Sequence, residues 1–325
     1  MISVVMATYN GGKYIEQQLD SIKNQTRKPD EVIICDDCST DETVLIIKEY
    51  INQNKLQNWI VIENENNLGY YNNFFKAIKI CKGDTIYLSD QDDVWDLRKI
   101  EIFEQFYENE PNASMIQSNV KFIDNNGNMI KSSYKYHSIT ESNGIVGLST
   151  FDICKFAGSG YTMSFRKCVK EEIFSKKLNE HKNIYLYHDI LIGLVATALG
   201  KCYLNLDIVD KHRLHDNNVT QLNGKLYISN RTLDNQLSIL DRRRHEFDLV
   251  LKSVSDQDTL ECFRMFSKFA NCRYDLIKNR NLENLKFLLT HIKFYSSKYG
   301  LITDVLYSIG AEKILSLIYK VIEKL

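Results

Sequence analysis

Over the first 120 residues, short runs rich in β-branched side chains alternate with stretches whose apolar residues recur at helical spacing. That rhythm confines the chain to an α/β architecture, a largely parallel sheet joined by crossover helices. Strands are predicted at 2–7, 31–35, 59–63, 85–88 and 114–117. Between them Ile15, Leu19 and Ile22 mark one helix, and Val44, Ile47 and Ile51 mark another. Ser39 followed by Glu42 reads as a capping box, which starts the second helix just after Asp36 and Asp37. Both aspartates then stand at the carboxyl end of a strand. Ligands of open α/β sheets bind in the crevice outside those ends, so Thr8, Tyr9 and Asn10, the two aspartates and the segment 89–93 should converge on one edge.

Beyond residue 120 the pattern changes. Asn125-Asn126-Gly127 has hairpin-turn chemistry, which predicts antiparallel or mixed pairing from there on. The polar, Ser-rich stretch 130–150 reads as a loop over the site. A strand near 161–165, a helix near 189–199 and a strand near 201–206 follow. From about 225 every segment reads as helix, with Leu237 and Leu240, then Phe263, Phe266 and Phe269, then Ile314, Ile318, Val321, Ile322 and Leu325 at helical spacing. The expected organisation is an α/β domain over 1–224 and a helical region over 225–325.

Lys plus Arg number 41 and Asp plus Glu 42, and the resulting charge of -1 gives no electrostatic basis for a nucleic-acid partner. The charge is unevenly spread, since 225–325 holds 17 basic and 12 acidic side chains. Eight cysteines in 325 residues are too sparse for a disulfide scaffold. The opening MISVVMATYN has neither a basic start nor a small-residue cleavage site, so a reducing cytoplasm is the expected setting. Cys35 and Cys38 form a C-x-x-C, but Asp36 and Asp37 between them oppose thiolate formation, and buried or incidental thiols are expected rather than a redox pair. The longest apolar stretch, 190–199, falls well short of the ~20 residues that cross a bilayer.

Ser89-Asp90-Gln91-Asp92-Asp93-Val94-Trp95 sets three carboxylates at the end of a strand, where their mutual repulsion is unfavourable without a cation. Hard divalent ions take such oxygens. Asp92 or Asp93 capping the next helix is the plainer alternative. Neither G-x-G-x-x-G nor a Walker loop occurs, and Thr8-Tyr9-Asn10-Gly11-Gly12-Lys13 offers polar side chains where a pyrophosphate cradle needs glycines. A nucleotide held by a carboxylate on its base or ribose, with its diphosphate on a metal, fits better. Asp36 and the 90–93 cluster supply those two anchors.

The series A-T-Y-N-G at 7–11, D-D-C-S-T-D at 36–41, N-x-G at 67–69 and S-D-Q-D-D-V-W at 89–95 resembles family 2 glycosyltransferases with a GT-A fold. Their pattern has Gly where this chain has Cys38, a departure expected to be harmless in a turn. The likeness continues through G-S-G-Y-T-M-S-F-R at 158–166, His188-Asp189 and the segment 212–218, so it covers roughly 1–220. The resemblance implies that Thr8, Tyr9 and Asn10 contact the nucleotide, that Asp36 meets its base or ribose, and that Asn67, Gly69 and Asn73 close over it. It implies that Asp90 and Gln91 approach the donor while Asp92 binds Mg2+ or Mn2+ on the diphosphate, with His215 as a further phosphate or metal contact and Arg213 balancing the diphosphate charge. Asp93 is expected to orient the loop or meet a sugar. Trp95 either stacks on a sugar or lies in the core; Gly158 and Gly160 either admit the donor sugar or serve a turn. His188 is expected beside a sugar, and Asp189 is the expected base, with helix capping as its alternative.

The resulting expectation is an inverting, metal-dependent transferase moving a sugar from a nucleotide diphosphate, dTDP-rhamnose or a UDP-hexose, to a glycan or lipid-linked glycan in polysaccharide assembly. Two rivals are a nucleotidyltransferase, which would need a glycine-rich basic loop after the first strand, and a silent glycan- or nucleotide-binding protein. The basic tail, Arg242-Arg243-Arg244 and the stripe 314–325 suit peripheral docking on an anionic cytoplasmic membrane face, a homodimer contact or plain core.

Overall fold

A computed structural model describes residues 1–130, 143–155, 158–180, 187–215, 218, 232–297, 299–311 and 314–315. Most of the predicted loop over 130–150, Asp216 and Asn217, and Ile318, Val321, Ile322 and Leu325 lie outside the described residues. β1 (Ile2–Thr8) is covered on both faces, which explains a run unbroken by charge. It pairs in parallel with β2 (Glu31–Asp36) on one side and β4 (Thr85–Ser89) on the other, and β2 pairs in parallel with β3 (Trp59–Glu63). The register sets Thr8 opposite Asp36 and Met6 opposite Ser89, so the carboxyl ends of three strands come to one edge.

The crossovers are α1 (Ile15–Lys23), α2 (Thr43–Gln53) and α3 (Gly69–Ile80). Ile15, Leu19 and Ile22 of α1 and Ile47 of α2 share a core with Val4, Met6, Val32 and Ile34. Each such fully buried side chain contributes about 1.5–3 kcal/mol. α2 starts later than its sequence suggests, and no capping box forms: the Ser39 hydroxyl is taken by Asp36, while Asp41 Oδ1 accepts from Thr43 N at 3.0 Å. The Ser39 hydroxyl donates to the Asp36 carboxylate, and its oxygen accepts from Asn10 N at 2.8 Å instead of from a helix amide.

β5 (Val94–Trp95) and α4 (Lys99–Asn109) lead into β6 (Ala113–Ile123). The 125–127 turn closes a hairpin, with Gly127 at φ +85, Asp124 N donating to Asn128 O and Ile123 bridging Met129 antiparallel. β7 (Ile145–Leu148), a 3₁₀ turn at Gly160–Thr162, β8 (Ser164–Arg166), α6 (Lys167–Ser175), α7 (His188–Leu199) and β9 (Lys201–Arg213) complete the layer. The nine strands run β3-β2-β1-β4-β8-β6-β9-β5, with β7 on β9. β8 is antiparallel to β4 and β6, whereas β6 and β9 are parallel, so the sheet is mixed as the turn chemistry predicts.

The chain divides into two compact units, the first Met1–Ser149, Ala157–His181 and Leu186–Arg213, the second Thr150–Phe156, Lys182–Tyr185 and Leu214–Leu325. Where described, the second unit is helical: α5 (Thr150–Lys155), α8 (Leu233–Val250), α9 (Gln257–Asn279), α10 (Asn284–Thr290) and α11 (Gly300–Ser308). Thr232 and Asp256 cap α8 and α9 by accepting from Asn235 N and Thr259 N. Phe263, Phe266 and Phe269 point into an aromatic core with Phe151, Phe247 and Phe294. Buried Asp304 is held there by Arg273 and Tyr295.

Candidate active site

Hydrogen bonds stitch the three strand-end loops together. Tyr9 N donates to Gln91 Oε1 at 2.9 Å, and Gln91 Nε2 returns a bond to Tyr9 O at 3.0 Å. Asn10 N donates to Ser39 Oγ and Asn10 Oδ1 accepts from Thr40 N, both at 2.8 Å. Asn10 takes a left-handed φ of +48, which asparagine tolerates better than most residues. Tyr9 is half exposed and Asn10 exposed, so both face the crevice edge.

Thr8 and Asp36 do not. Each is 1% exposed, and Thr8 Oγ1 donates to Asp36 Oδ2 at 2.8 Å while Ser39 N donates to Oδ1 at 2.8 Å. The expectation that Asp36 meets the base or ribose is therefore corrected: its carboxylate turns inward to hold the loop. Its neighbour Asp37, missed as a site residue, fixes the entry to α3 by accepting from Leu68 N, Gly69 N and Asn64 Nδ2 at 2.7–2.8 Å. Asn67 and Gly69 stay at the surface, with Gly69 at φ +75, where glycine is favoured. Asn73 is also corrected; it is buried, donating to Cys35 O and accepting from Asn64, and braces β2.

Asp90, Asp92 and Asp93 bring carboxylate oxygens within 4.8 Å of one another just past β4. Burial, then the charges of Asp93 and Asp92, hold the Asp90 carboxyl well above the usual range, and Asp189 adds to the effect against the pull of His212. Asp93 is 2% exposed, so it meets no sugar; its Oδ1 accepts from Arg213 N at 3.0 Å and pairs with His212 Nδ1 at 2.8 Å. Its Oδ2 is buried with no partner among the described residues. Burial alone would lower the His212 pKa, but the adjacent Asp93, with Asp92 and Asp90, carries it to about 9. The imidazolium lies flat on Tyr161, ring centroids 4.2 Å apart. Three clustered carboxylates, one of whose oxygens is without a partner among the described residues, form a hard-oxygen donor set that fits Mg2+ or Mn2+.

Arg213 is fully buried and its guanidinium is committed: Nε to Asp92 O at 2.9 Å, one NH to Asp124 O at 3.0 Å, the other to Gln17 Oε1 at 2.6 Å. It locks the acidic loop to its surroundings, which corrects the expectation that it balances a diphosphate. Of the two expectations for Trp95, the core is the one observed and the sugar contact is not: it is 3% exposed against Tyr87, with the Lys99 ammonium 4.0 Å over its ring. That lysine forms a fully buried pair with Asp210 at 2.6 Å and donates to Tyr161 O. Lys99 and Asp210 carry no local sequence signal, being neighbours only in space.

Asp189 stands in the first turn of α7, its Oδ1 accepting from Ile190 N at 2.8 Å and its Oδ2 from Gly160 N at 3.2 Å. Because its charge reaches Asp90, the acidic trio and Asp189 share one neighbourhood. His188 is 8% exposed and stacked on Phe74 at 4.1 Å; burial drops its pKa to about 3, so the ring is neutral. A Cβ on Gly160 would come 2.7 Å from His188 Nε2, so the ring packs directly on that glycine, whereas a Cβ on Gly158 would require the end of the Gln117 side chain to move. His215 belongs to the second unit, where its amide donates to Asn218 Oδ1 at 2.6 Å.

An uncharacterized glycosyltransferase of Methanocaldococcus jannaschii is 38% identical over 145 residues, 43% of this chain and 49% of that protein. The chain spans about half or less of the length of the curated relatives it matches first. In fold it is similar to S. aureus TarS 1–349 in complex with UDP, with a TM-score of 0.64 at 16% identity over 98% of this chain and 91% of that one. It is also similar to a Pyrobaculum calidifontis mannosyltransferase in complex with GDP-Man and Mn2+, with a TM-score of 0.53 at 13% identity over all of this chain and 88% of that one. The mixed sheet with flanking helices, followed by a helical region, is the GT-A architecture. Residues 3–169, just over half of the chain, match the family model Glycosyl transferase family 2, and the chain belongs to that family.

Proposed function

We propose that the protein is an inverting, divalent-metal-dependent glycosyltransferase. Its donor is a pyrimidine-nucleotide sugar, dTDP-rhamnose or a UDP-hexose, and its acceptor is a glycan or lipid-linked glycan of a surface polysaccharide. The observation that carries this reading is the electrostatic neighbourhood of Asp90, Asp92 and Asp189 at the carboxyl edge of β4. The UDP complex of the fold neighbour supports a pyrimidine donor, and the Mn2+ complex of the other supports the metal.

In this reading Asp90 and Asp92 hold Mg2+ or Mn2+. The bound cation would offset the charge that grows on the departing diphosphate. Tyr9, Asn10, Asn67 and Gly69 line the nucleoside side of the crevice. Asp189 takes the proton of the acceptor hydroxyl as that oxygen bonds to the anomeric carbon and the bond to the diphosphate oxygen breaks. Its two amide donors and the helix N-terminus keep the carboxylate oriented for that transfer. The machinery resides in 1–224.

Nucleotide release from a set of sugar nucleotides, with and without Mn2+, is the test. Asp92→Asn should abolish metal-dependent donor binding. Asp189→Asn should bind donor as the parent does and turn over ~100-fold or more slower, as loss of a general base predicts. Full turnover by Asp189→Asn removes the base assignment, and pyrophosphate release from a nucleoside triphosphate with a sugar phosphate would favour nucleotidyl transfer instead.

A further inference from the structure

Within the first unit lies an ion pair that stability does not account for. The Lys99 ammonium and the Asp210 carboxylate, 0% and 1% exposed, meet at 2.6 Å. Asp210 stands opposite Trp95 in the pairing of β5 with β9, and Lys99, the first residue of α4, reaches it over the Trp95 ring, 4.0 Å from the ring centroid. Burying two charges costs about as much as their attraction returns, and an apolar pair of similar volume is often as stable or more so.

What an apolar pair would lack is a third bond. Lys99 Nζ also donates to Tyr161 O at 3.1 Å, in the short turn Gly160–Thr162. That turn stands between the two halves of the proposed chemistry. On one side Gly160 N donates to Asp189 Oδ2 at 3.2 Å. On the other the Tyr161 ring stacks on His212, centroids 4.2 Å apart, and His212 pairs with Asp93 at 2.8 Å. The acidic loop has its own anchor in Arg213, whose N and Nε donate to Asp93 and to Asp92 O, so Lys99 is not needed to shape it. Burial lowers the Lys99 pKa against Asp210 and then Asp93 and Asp90, whose charges therefore reach the ammonium.

We propose that Lys99, with Asp210 as its counterion, is a positioning residue: by holding Tyr161 O it fixes the Gly160–Thr162 turn, and through the Gly160 amide the Asp189 carboxylate, relative to the acidic loop. A lysine suits this task because one compact head carries three donors, enough for a carboxylate and a carbonyl at once. Displacing a reacting group by about 1 Å is enough to slow a reaction ~100-fold. The proposal rests on the transferase reading, for which Asp189 is the base.

Two variants separate the tether from the charge. Asp210→Asn keeps an acceptor for Ser118 and for Lys99, whose amine donates to Tyr161 O whether or not it is protonated. Lys99→Met in the Asp210→Asn background removes the tether without stranding a buried carboxylate. Gly160, Thr162 and Met163 all donate their amides to bonds of the turn. Hydrogen exchange on the full chain, with no ligand added, should run about tenfold faster over 158–166 in the double variant and at the parent rate in Asp210→Asn. In nucleotide release from the sugar nucleotide that the parent uses best, the double variant should lose about ten- to a hundredfold in kcat at the parent's donor KM, while Asp210→Asn stays within about threefold of the parent. A merely structural pair would lower the thermal midpoint and leave kcat per folded molecule unchanged. Parent-like exchange over 158–166 or full kcat in the double variant overturns the positioning role, and so does an Asp210→Asn protein as slow as the double variant. Should the parent release nucleotide from no sugar nucleotide, the transferase reading fails, and the exchange rates still decide whether Lys99 tethers the turn.

Discussion

Cys38 shows how a single residue can be chemically innocent and conformationally demanding. It holds φ +66, in the region where the related pattern has glycine, and its thiol donates to Asn64 O at 3.2 Å. Left-handed backbone costs a residue with a side chain about 1–2 kcal/mol, while glycine gives back roughly 0.5–1 kcal/mol through its freer unfolded chain. Cys38→Gly is therefore expected to stabilise the fold by up to about 1 kcal/mol, raising the thermal midpoint by roughly 1–3 °C; a fall would show that the thiol contact outweighs the strain. The sequence exposes the type of a polar group but not its partner. Asp90, Asp92 and Asp189 draw notice in the sequence because clustered carboxylates repel one another and Asp189 starts a helix, a place where a carboxylate can equally serve as a cap. Thr8, Asp36, Asn73 and Arg213 are equally polar, and only the fold reveals that protein atoms already satisfy them.

Among the elements, the five parallel-type strands and their crossovers follow from apolar runs and helical spacing, because hydrophobic periodicity is a local property. β6 and β9 are both longer than those runs suggest. Ser118, Asn119, Asp210 and His212 interrupt the apolar pattern, yet the strands continue because these groups bond to neighbours in space: Asn119 to Leu206 O, Ser118 and Lys99 to Asp210, His212 to Asp93. Local rules fail where the candidate site is built, as expected of a functional edge. The same edge sets a pH dependence. Asp90 and His212 both bind their protons more tightly in the folded chain than an unfolded chain would, so stability falls as pH rises. For His212 the contribution is complete below about 6.5 and is lost as pH climbs through about 9. Scanning calorimetry of metal-free protein should thus give a lower midpoint at pH 9 than at pH 6.5, and saturating Mg2+ should narrow the gap by replacing protons with a cation. A level or rising midpoint across that window would contradict this account of the acidic edge.

At the scale of the whole molecule, no helix among the described residues is long and apolar enough to cross a membrane. Exposed apolar side chains nevertheless recur over 282–309 of the second unit: Leu282, Leu289, Ile292, Ile302 and Ile309 are 52–61% exposed. With 17 basic and 12 acidic groups over 225–325, we propose that this region docks on an anionic membrane surface. Vesicles with about a third phosphatidylglycerol should sediment the protein in a salt-sensitive manner. Ile302→Glu with Ile309→Glu should cut binding at least tenfold, since each lost apolar contact is worth about 1.5–3 kcal/mol; unchanged binding rejects docking through these residues. The helical character of this part was legible from its spacing, whereas its use was not, because the same stripe serves a core, a partner or a lipid surface. The sheet carries one more consequence, for synthesis. β4 is complete at Ser89, but the neighbour on its second side, β8, begins only at Ser164. At about 5–20 residues per second the ribosome leaves that edge unpaired for roughly 4–15 s. An emerging chain presents a ready template to its neighbours throughout that interval, and pairing between nascent copies is the expected hazard of crowded expression.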